Sequence, residues 1–326
     1  MSILWQGGED IDFPNGGGVF GDTTAGVFRA GYARCGIEGT TASPMKSTLF
    51  PGGAITSAWV SARIYSSNEG TGMKMVGFGL SGTTKGLFIG LDATTLGKVA
   101  LIKYDGTTAT QLAAEAGVSF PSISFHRLDM QVINYGATAT VNVYWDLAFL
   151  FTFTGDVTVT GMTNFDSVFL WGINSSFYSR FSEIIVANED TRSFSLLTMA
   201  PISAGTTDQW TGLFSAVNPT TVNDANSNFT NTVAQDQQYN VTAVPSGTFA
   251  VRQLKVNARM SATAGSTATK VATGFNLSGT VSVGAPSAAL GTAFINNETY
   301  FANNPVTTAA WTQTQLNTIQ VDMRSS

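Results

Sequence analysis

Histidine and cysteine occur once each in the 326 residues, as His126 and Cys35, and these scarcities remove whole classes of chemistry. A single cysteine forms no intramolecular disulfide and no thiolate zinc site, and Cys35 reads as a small buried hydrophobe. A Ser-His-Asp arrangement would have to use His126, yet the sequence carries no G-x-S-x-G elbow. His126 opens an alternating strand and reads as structural. Charge is scarce too: 11% of the residues are ionic, against roughly 25% in an average soluble protein. The formal net charge of −5 and the lack of any basic stripe argue against a nucleic-acid partner. Apolar runs such as Ala148 to Phe153 fall far short of the roughly 20 residues that span a bilayer, so no membrane insertion is expected. The opening MSILWQGG lacks a basic region followed by an apolar one, and no Sec signal is expected. Gly16-Gly17-Gly18 lacks the Lys and helix of a phosphate loop, and no cofactor is expected.

What the chain does have is glycine, threonine, serine and asparagine, threaded through short apolar segments. In the first half, Trp59 to Tyr65, Met73 to Leu80, Gly86 to Leu91, Lys98 to Tyr104, Phe125 to Ile133, Thr138 to Trp145, Ala148 to Thr154, Asp166 to Trp171 and Phe181 to Ala187 are strand candidates. Val141, Val143 and Trp145 alternate with Asn142 and Tyr144, the period of a strand with one buried face. Asp105-Gly106 after Tyr104 is a tight-turn signal, because glycine accepts the positive φ such turns need. No stretch in this half sustains a helical period, and two packed sheets are the economical way to bury these faces.

The chain exceeds the size at which single cores stop growing, about 250–300 residues, and two all-β sandwich domains are expected. Asn188, Glu189 and Asp190 end a strand, and Pro201 and Gly205 loosen the segment beyond it. This places a first domain at 1–190, a linker at 191–202 and a smaller β-domain at 203–326. The second half offers strands at Gln238 to Val244, Phe249 to Ala262, Ala268 to Leu277 and Ala293 to Ala302, with a long loop or edge hairpin over Asn218 to Gln238. Near the end, Thr312 and Gln315 have capping-box spacing and Trp311 can staple onto Leu316. A helical turn should therefore start at Thr312, before a final strand in which Ile319, Val321 and Met323 face inward.

Three stretches carry a resemblance: Phe125-His126-Arg127-Leu128, Val143-Tyr144-Trp145-Asp146 and Phe181-Ser182-Glu183-Ile184-Ile185-Val186. In this order they resemble the second half of the concanavalin A-like, laminin-G-like jelly roll, which implies that fold for the first domain. Where that family has Gly after the Asp, this chain has Leu147. The opening Trp5 to Phe13, WQGGEDIDF, with Tyr32-Ala33-Arg34-Cys35 and the run Asn304 to Thr312, resembles structural proteins of tailed bacteriophages. That resemblance implies a non-enzymatic virion component, tail-associated or fibre-like, made in the host cytoplasm, with other virion proteins as partners and a homo-oligomeric assembly. The alternatives are an adhesin that binds a host surface glycan, or a head-decoration protein.

Candidate ligand residues are identified by side-chain chemistry. Trp145, Trp171 and Tyr178 are the aromatic residues a glycan surface would use by stacking. Glu9, Asp10 and Asp12 supply the oxygens a Ca²⁺ ion would take, without the ordered spacing of an EF-hand. No strand carries the alternate carboxylates that a retaining glycosidase places on one face, so no catalytic residue is expected.

Overall fold

The computed structural model describes residues 3–7, 12–13, 37–38, 44–66, 72–119, 125–171, 179–217, 224–244 and 246–326. Cys35, Glu9, Asp10 and Tyr178 lie outside the described residues. The chain divides into two compact units, 1–196 and 197–326. In the first the strands are β1 Ile3–Gly7, β2 Ile37–Glu38, β3 Met45–Lys46, β4 Ala58–Ser66, β5 Lys74–Gly79, β6 Gly86–Leu91, β7 Lys98–Tyr104, β8 Ala109–Ser119, β9 Phe125–Ile133, β10 Ala139–Trp145, β11 Ala148–Gly155, β12 Ser167–Leu170 and β13 Ser179–Ala187. In the second they are β14 Pro201–Asp208, β15 Asp236–Val241, β16 Leu254–Met260, β17 Val271–Leu277, β18 Thr280–Val283, β19 Ile295–Phe301 and β20 Gln320–Ser325, with a 3₁₀ turn at Phe214–Ala216 and one α-helical turn, α1 Gln313–Leu316.

The first unit is a β-sandwich of the jelly-roll type. One sheet runs β1-β13-β4-β9-β10-β11, with β2 also on β13, and the other runs β3-β12-β5-β6-β7-β8. Their inner faces make one core. Val60, Ala62 and Ile64 of β4, Leu128, Met130 and Val132 of β9, and Val141, Val143 and Trp145 of β10 meet Val76 and Phe78 of β5 and Leu87 and Ile89 of β6. Two-residue periodicity makes this possible, since alternate side chains leave the same face of a strand. The Asp105-Gly106 turn joins β7 to β8, with Gly106 at φ 103° and Asp105 Oδ1 accepting from Thr107 N and Thr108 N. The polar, alanine-rich β8 carries no apolar alternation and is a strand only because β7 pairs with it.

In the second unit one sheet runs β14-β15-β20-β17-β18, and β16 and β19, which flank β17 and β18 in the chain, pair as a two-stranded antiparallel sheet. Phe275, Val256, Phe301, Trp311, Leu316 and Ile319 form its core. The loosened stretch expected around Pro201 is an edge strand, β14, paired with β15 with two register irregularities. The expected strand at 249–262 starts only at Leu254, and residues 249–253 are irregular. Thr312 Oγ1 accepts from Gln315 N and the Gln315 side chain accepts from Thr312 N, so the capping box forms. Trp311 is buried beside Leu316 and donates Nε1–H to Phe301 O at 3.2 Å.

The segment after β13 differs from the linker placed at 191–202. Thr191 is fully buried and its hydroxyl donates to Asp129 Oδ1 at 2.9 Å. Arg127 donates to the carbonyls of Thr191 and Phe194. Phe194 packs on Ile185 and Ala187. Residues 191–196 thus belong to the first unit, because the partly buried Arg127 and the fully buried Asp129 on β9 bond their carbonyls and hydroxyl.

Candidate functional site

An open cleft of about 390 Å³ lies where that segment crosses the seven-stranded sheet, lined by Arg63, His126, Arg127, Asp146, Leu147, Glu183 and residues 192–195. Each strand delivers its residue for a local reason. In β9, Leu128 and Met130 face the core, so Arg127 and Asp129 share the outer face and bond side by side, Nε to Oδ2 at 3.0 Å and Nη2 to Oδ1 at 3.1 Å. Asp129 is 0% exposed. A carboxylate so deeply buried needs a cation and further donors, and Arg127 and Thr191 supply them.

The β10–β11 hairpin turns on Asp146 and Leu147, which pair no residue while Trp145 faces Ala148. Both have positive φ, 46° and 72°, the mark of a tight two-residue hairpin turn. Glycine or asparagine usually occupies such places, and a side chain there costs about 1–2 kcal/mol. The turn folds Asp146 back onto the start of β9: its Oδ1 accepts from Arg127 N at 2.9 Å and its Oδ2 lies 2.7 Å from His126 Nδ1. A carboxylate only accepts, so the Nδ1–H of His126 is the donor in this bond. The His126 ring stacks on Trp145 with centroids 4.4 Å apart.

Glu183 comes from a bulge. Between Ser182↔Arg63 and Ile185↔Ser61 the register of β13 against β4 gains one residue, and Glu183 sits there at φ 50°. Such an insertion re-aims a side chain out of the ladder, and Glu183 reaches Arg63 Nη1 at 3.3 Å. Arg192 closes the other side. It binds Asp190 through Nε at 2.9 Å, and that bond holds the Asp190 carboxyl below its ordinary range. Its guanidinium lies 4.2 Å from the Tyr144 ring centroid, and Tyr144 stacks on Trp59. Leu147 and Phe149, 51% and 56% exposed, form an apolar rim on the hairpin.

The residues expected to bind ligand are not brought together. Trp145 is 7% exposed and belongs to the core, so it supports His126 from below instead of offering a face to solvent. Trp171 is 4% exposed, on the other sheet, among Phe88 and Phe169. Asp12 is buried, and no group of three metal-ligating side chains occurs among the described residues. The sequence did not single out Arg63, Leu147, Glu183 or Arg192 as site residues. One trace was there: Phe181, Ile184 and Val186 are spaced three and then two, as an inserted residue at Glu183 requires.

The His126–Asp146 pair could orient a base. Ser193 and Ser195 line the same cleft, on an irregular segment and not on a strand-to-helix elbow.

No protein-family model matches the sequence, and no curated protein matches it. Among solved structures the chain is similar to alginate lyase Aly36B, with 8% identity and a TM-score of 0.35 over 60% of this chain and 100% of that one. It is similar to the Ruminococcus gnavus IT-sialidase CBM40 bound to α2,6 sialyllactose, with 13% identity and a TM-score of 0.33 over 47% of this chain and 90% of that one. It is also similar to domain 4 of AbnA, an extracellular arabinanase of Geobacillus stearothermophilus, in complex with arabinotriose, with 19% identity and a TM-score of 0.32 over 56% and 81%. The all-β assignment rests on the chain's own sheets.

Proposed function

We propose that the first unit is a non-enzymatic saccharide-binding module and that the cleft is its binding site. One observation carries this reading: three non-glycine residues with positive φ, Asp146, Leu147 and Glu183, converge on one opening. Backbone strain of this kind costs free energy and clusters at ligand sites. The chemistry of the lining then selects the ligand. Within the lining Arg63 pairs with Glu183 and His126 with Asp146, while Arg127 and Arg192 are neutralised by Asp129 and Asp190, which lie outside the lining. The opening thus offers alternating donors and acceptors with little net field. Hydroxyl groups both donate and accept and fit such a surface, while the Leu147–Phe149 rim can meet the C–H face of a sugar ring. The setting we propose is an adhesive position on a tailed-phage particle, on the strength of the WQGGEDIDF and 304–312 resemblances. Mass spectrometry of purified particles tests it, and absence of the chain from them would contradict it.

The binding claim is tested by glycan-array screening of the wild type and of Arg63→Met, which keeps the aliphatic stem. Removing one charge-assisted hydrogen bond should weaken a retained neutral saccharide by about tenfold or more. An array with no retained saccharide, or equal binding by the variant, would overturn the reading.

A further inference from the structure

The outer face of the six-stranded sheet holds a second group of residues, unrelated to the cleft. Glycines make it possible. A Cβ at Gly79 would stand 2.5 Å from the Phe169 ring, and one at Gly86 would stand 2.6 Å from the Phe88 ring. With those positions bare, Phe88 and Phe169 lie flat on the sheet and are fully buried. Trp171 meets Phe88 edge-on at 6.2 Å and Tyr104 edge-on at 5.4 Å.

Into the angle between Trp171 and Tyr104 the Lys74 side chain brings its ammonium, 4.2 Å from each ring centroid. A second ammonium, that of Lys46, lies 5.4 Å from the Phe169 centroid. Among the described residues neither donor at the centre has an acceptor. The indole N–H of Trp171 is buried with no hydrogen-bond partner, and among the described residues no carboxylate lies within ion-pair distance of Lys74. The Tyr104 hydroxyl is turned to Gly106 O, to which it donates at 2.9 Å. Buried indole N–H groups normally find a partner, and ring faces return only part of what an ammonium loses on leaving water. Burial accordingly lowers the Lys74 pKa.

We propose that Lys74 and Trp171 form an oxyanion-binding site, which takes a carboxylate or sulfate group carried by a ligand. One oxygen would accept from the Lys74 ammonium and another from the Trp171 N–H, with Lys46 adding a positive field. The shape is that of a charge-assisted pair with one neutral donor, and it discriminates against uncharged hydroxyls, which satisfy an ammonium less strongly. A lysine that merely covers aromatic surface with its stem would hold the same pose without binding anything, and the experiment separates the two.

The Trp171 indole N–H resonance of the full chain, assigned with Trp171→Phe, is followed by two-dimensional NMR. Sodium glucuronate, sodium sulfate and glucose are titrated at constant ionic strength. The site predicts a saturable shift with glucuronate, sulfate or both, and none with glucose. A response to glucuronate alone identifies carboxylate as the group recognised, and a response to sulfate alone identifies sulfate. Lys74→Met, or Lys74→Gln if the first does not fold, should raise Kd by about tenfold or more, while Lys74→Arg should retain binding. No saturable shift with either anion, an equal shift with glucose, or a shift that survives in folded Lys74→Met would overturn the proposal.

Discussion

Replacing Asp322 by asparagine should change the pH dependence of the second unit more than its structure. Asp322 is fully buried on β20; its Oδ1 accepts from Gln238 Nε2 at 2.8 Å and its Oδ2 has no partner among the described residues. Burial, the largest cause, raises its pKa from 3.8 to about 6, against the lowering effect of the Gln238 bond. Asp236 and Arg324, paired with each other at 2.6 Å, are the charged neighbours that act on it. A carboxyl whose folded value lies above its unfolded one holds its proton more tightly when folded. Its stabilising contribution is complete below about pH 4 and is lost as the pH rises through about 6. A shift of this size corresponds to about 3 kcal/mol. The amide introduced by Asp322→Asn is neutral throughout and can still accept from Gln238. The free-energy difference between variant and wild type should therefore move by about 2.5 kcal/mol in the variant's favour from pH 4 to pH 7.5. Hydrogen exchange read on β15, β17 and β20 measures this locally. A difference that stays constant with pH, or that moves toward the wild type, would refute the argument.

Other outcomes are expected as well. Leu147→Gly should stabilise the first unit by about 1 kcal/mol, because it relieves a side chain at φ 72°, and thermal unfolding checks it. Asp129→Ala leaves the partly buried Arg127 without its anion and should cost about 3 kcal/mol, with new proteolysis at Arg192 as its signature. In the wild type, the exposed turn at 224–235 should be cut before 191–194, where Thr191 is fully buried. Trp311→Ala should cost about 3–5 kcal/mol and Thr312→Ala about 0.5–2 kcal/mol; denaturant titration orders the two.

The strands with clean alternation were legible from the residues themselves. In β10 the pattern Val141, Val143, Trp145 against Asn142 and Tyr144 admits one pleated arrangement with a single buried face, and the capping box at Thr312 is set by spacing alone. The edge strand β14 was not legible, because its Ser, Gly and Thr residues express no preference until β15 supplies a partner. The cleft was the least legible part. Arg63, Arg127, Asp146, Glu183 and Arg192 come from separate strands and turns up to 129 positions apart along the sequence, and only the pairing β13-β4-β9-β10 makes them neighbours. Aromatic type pointed to Trp145 and Trp171, but in a sandwich the largest rings are the ones most often buried.

Chemical-shift mapping of the backbone amides with the saccharide retained on the array tests the central claim most directly. The account predicts shifts concentrated at Arg63, His126, Arg127, Asp146, Leu147, Glu183 and residues 192–195, the lining of the cleft. Shifts confined to the second unit, or to β5, β6 and β7 of the other sheet, would contradict it.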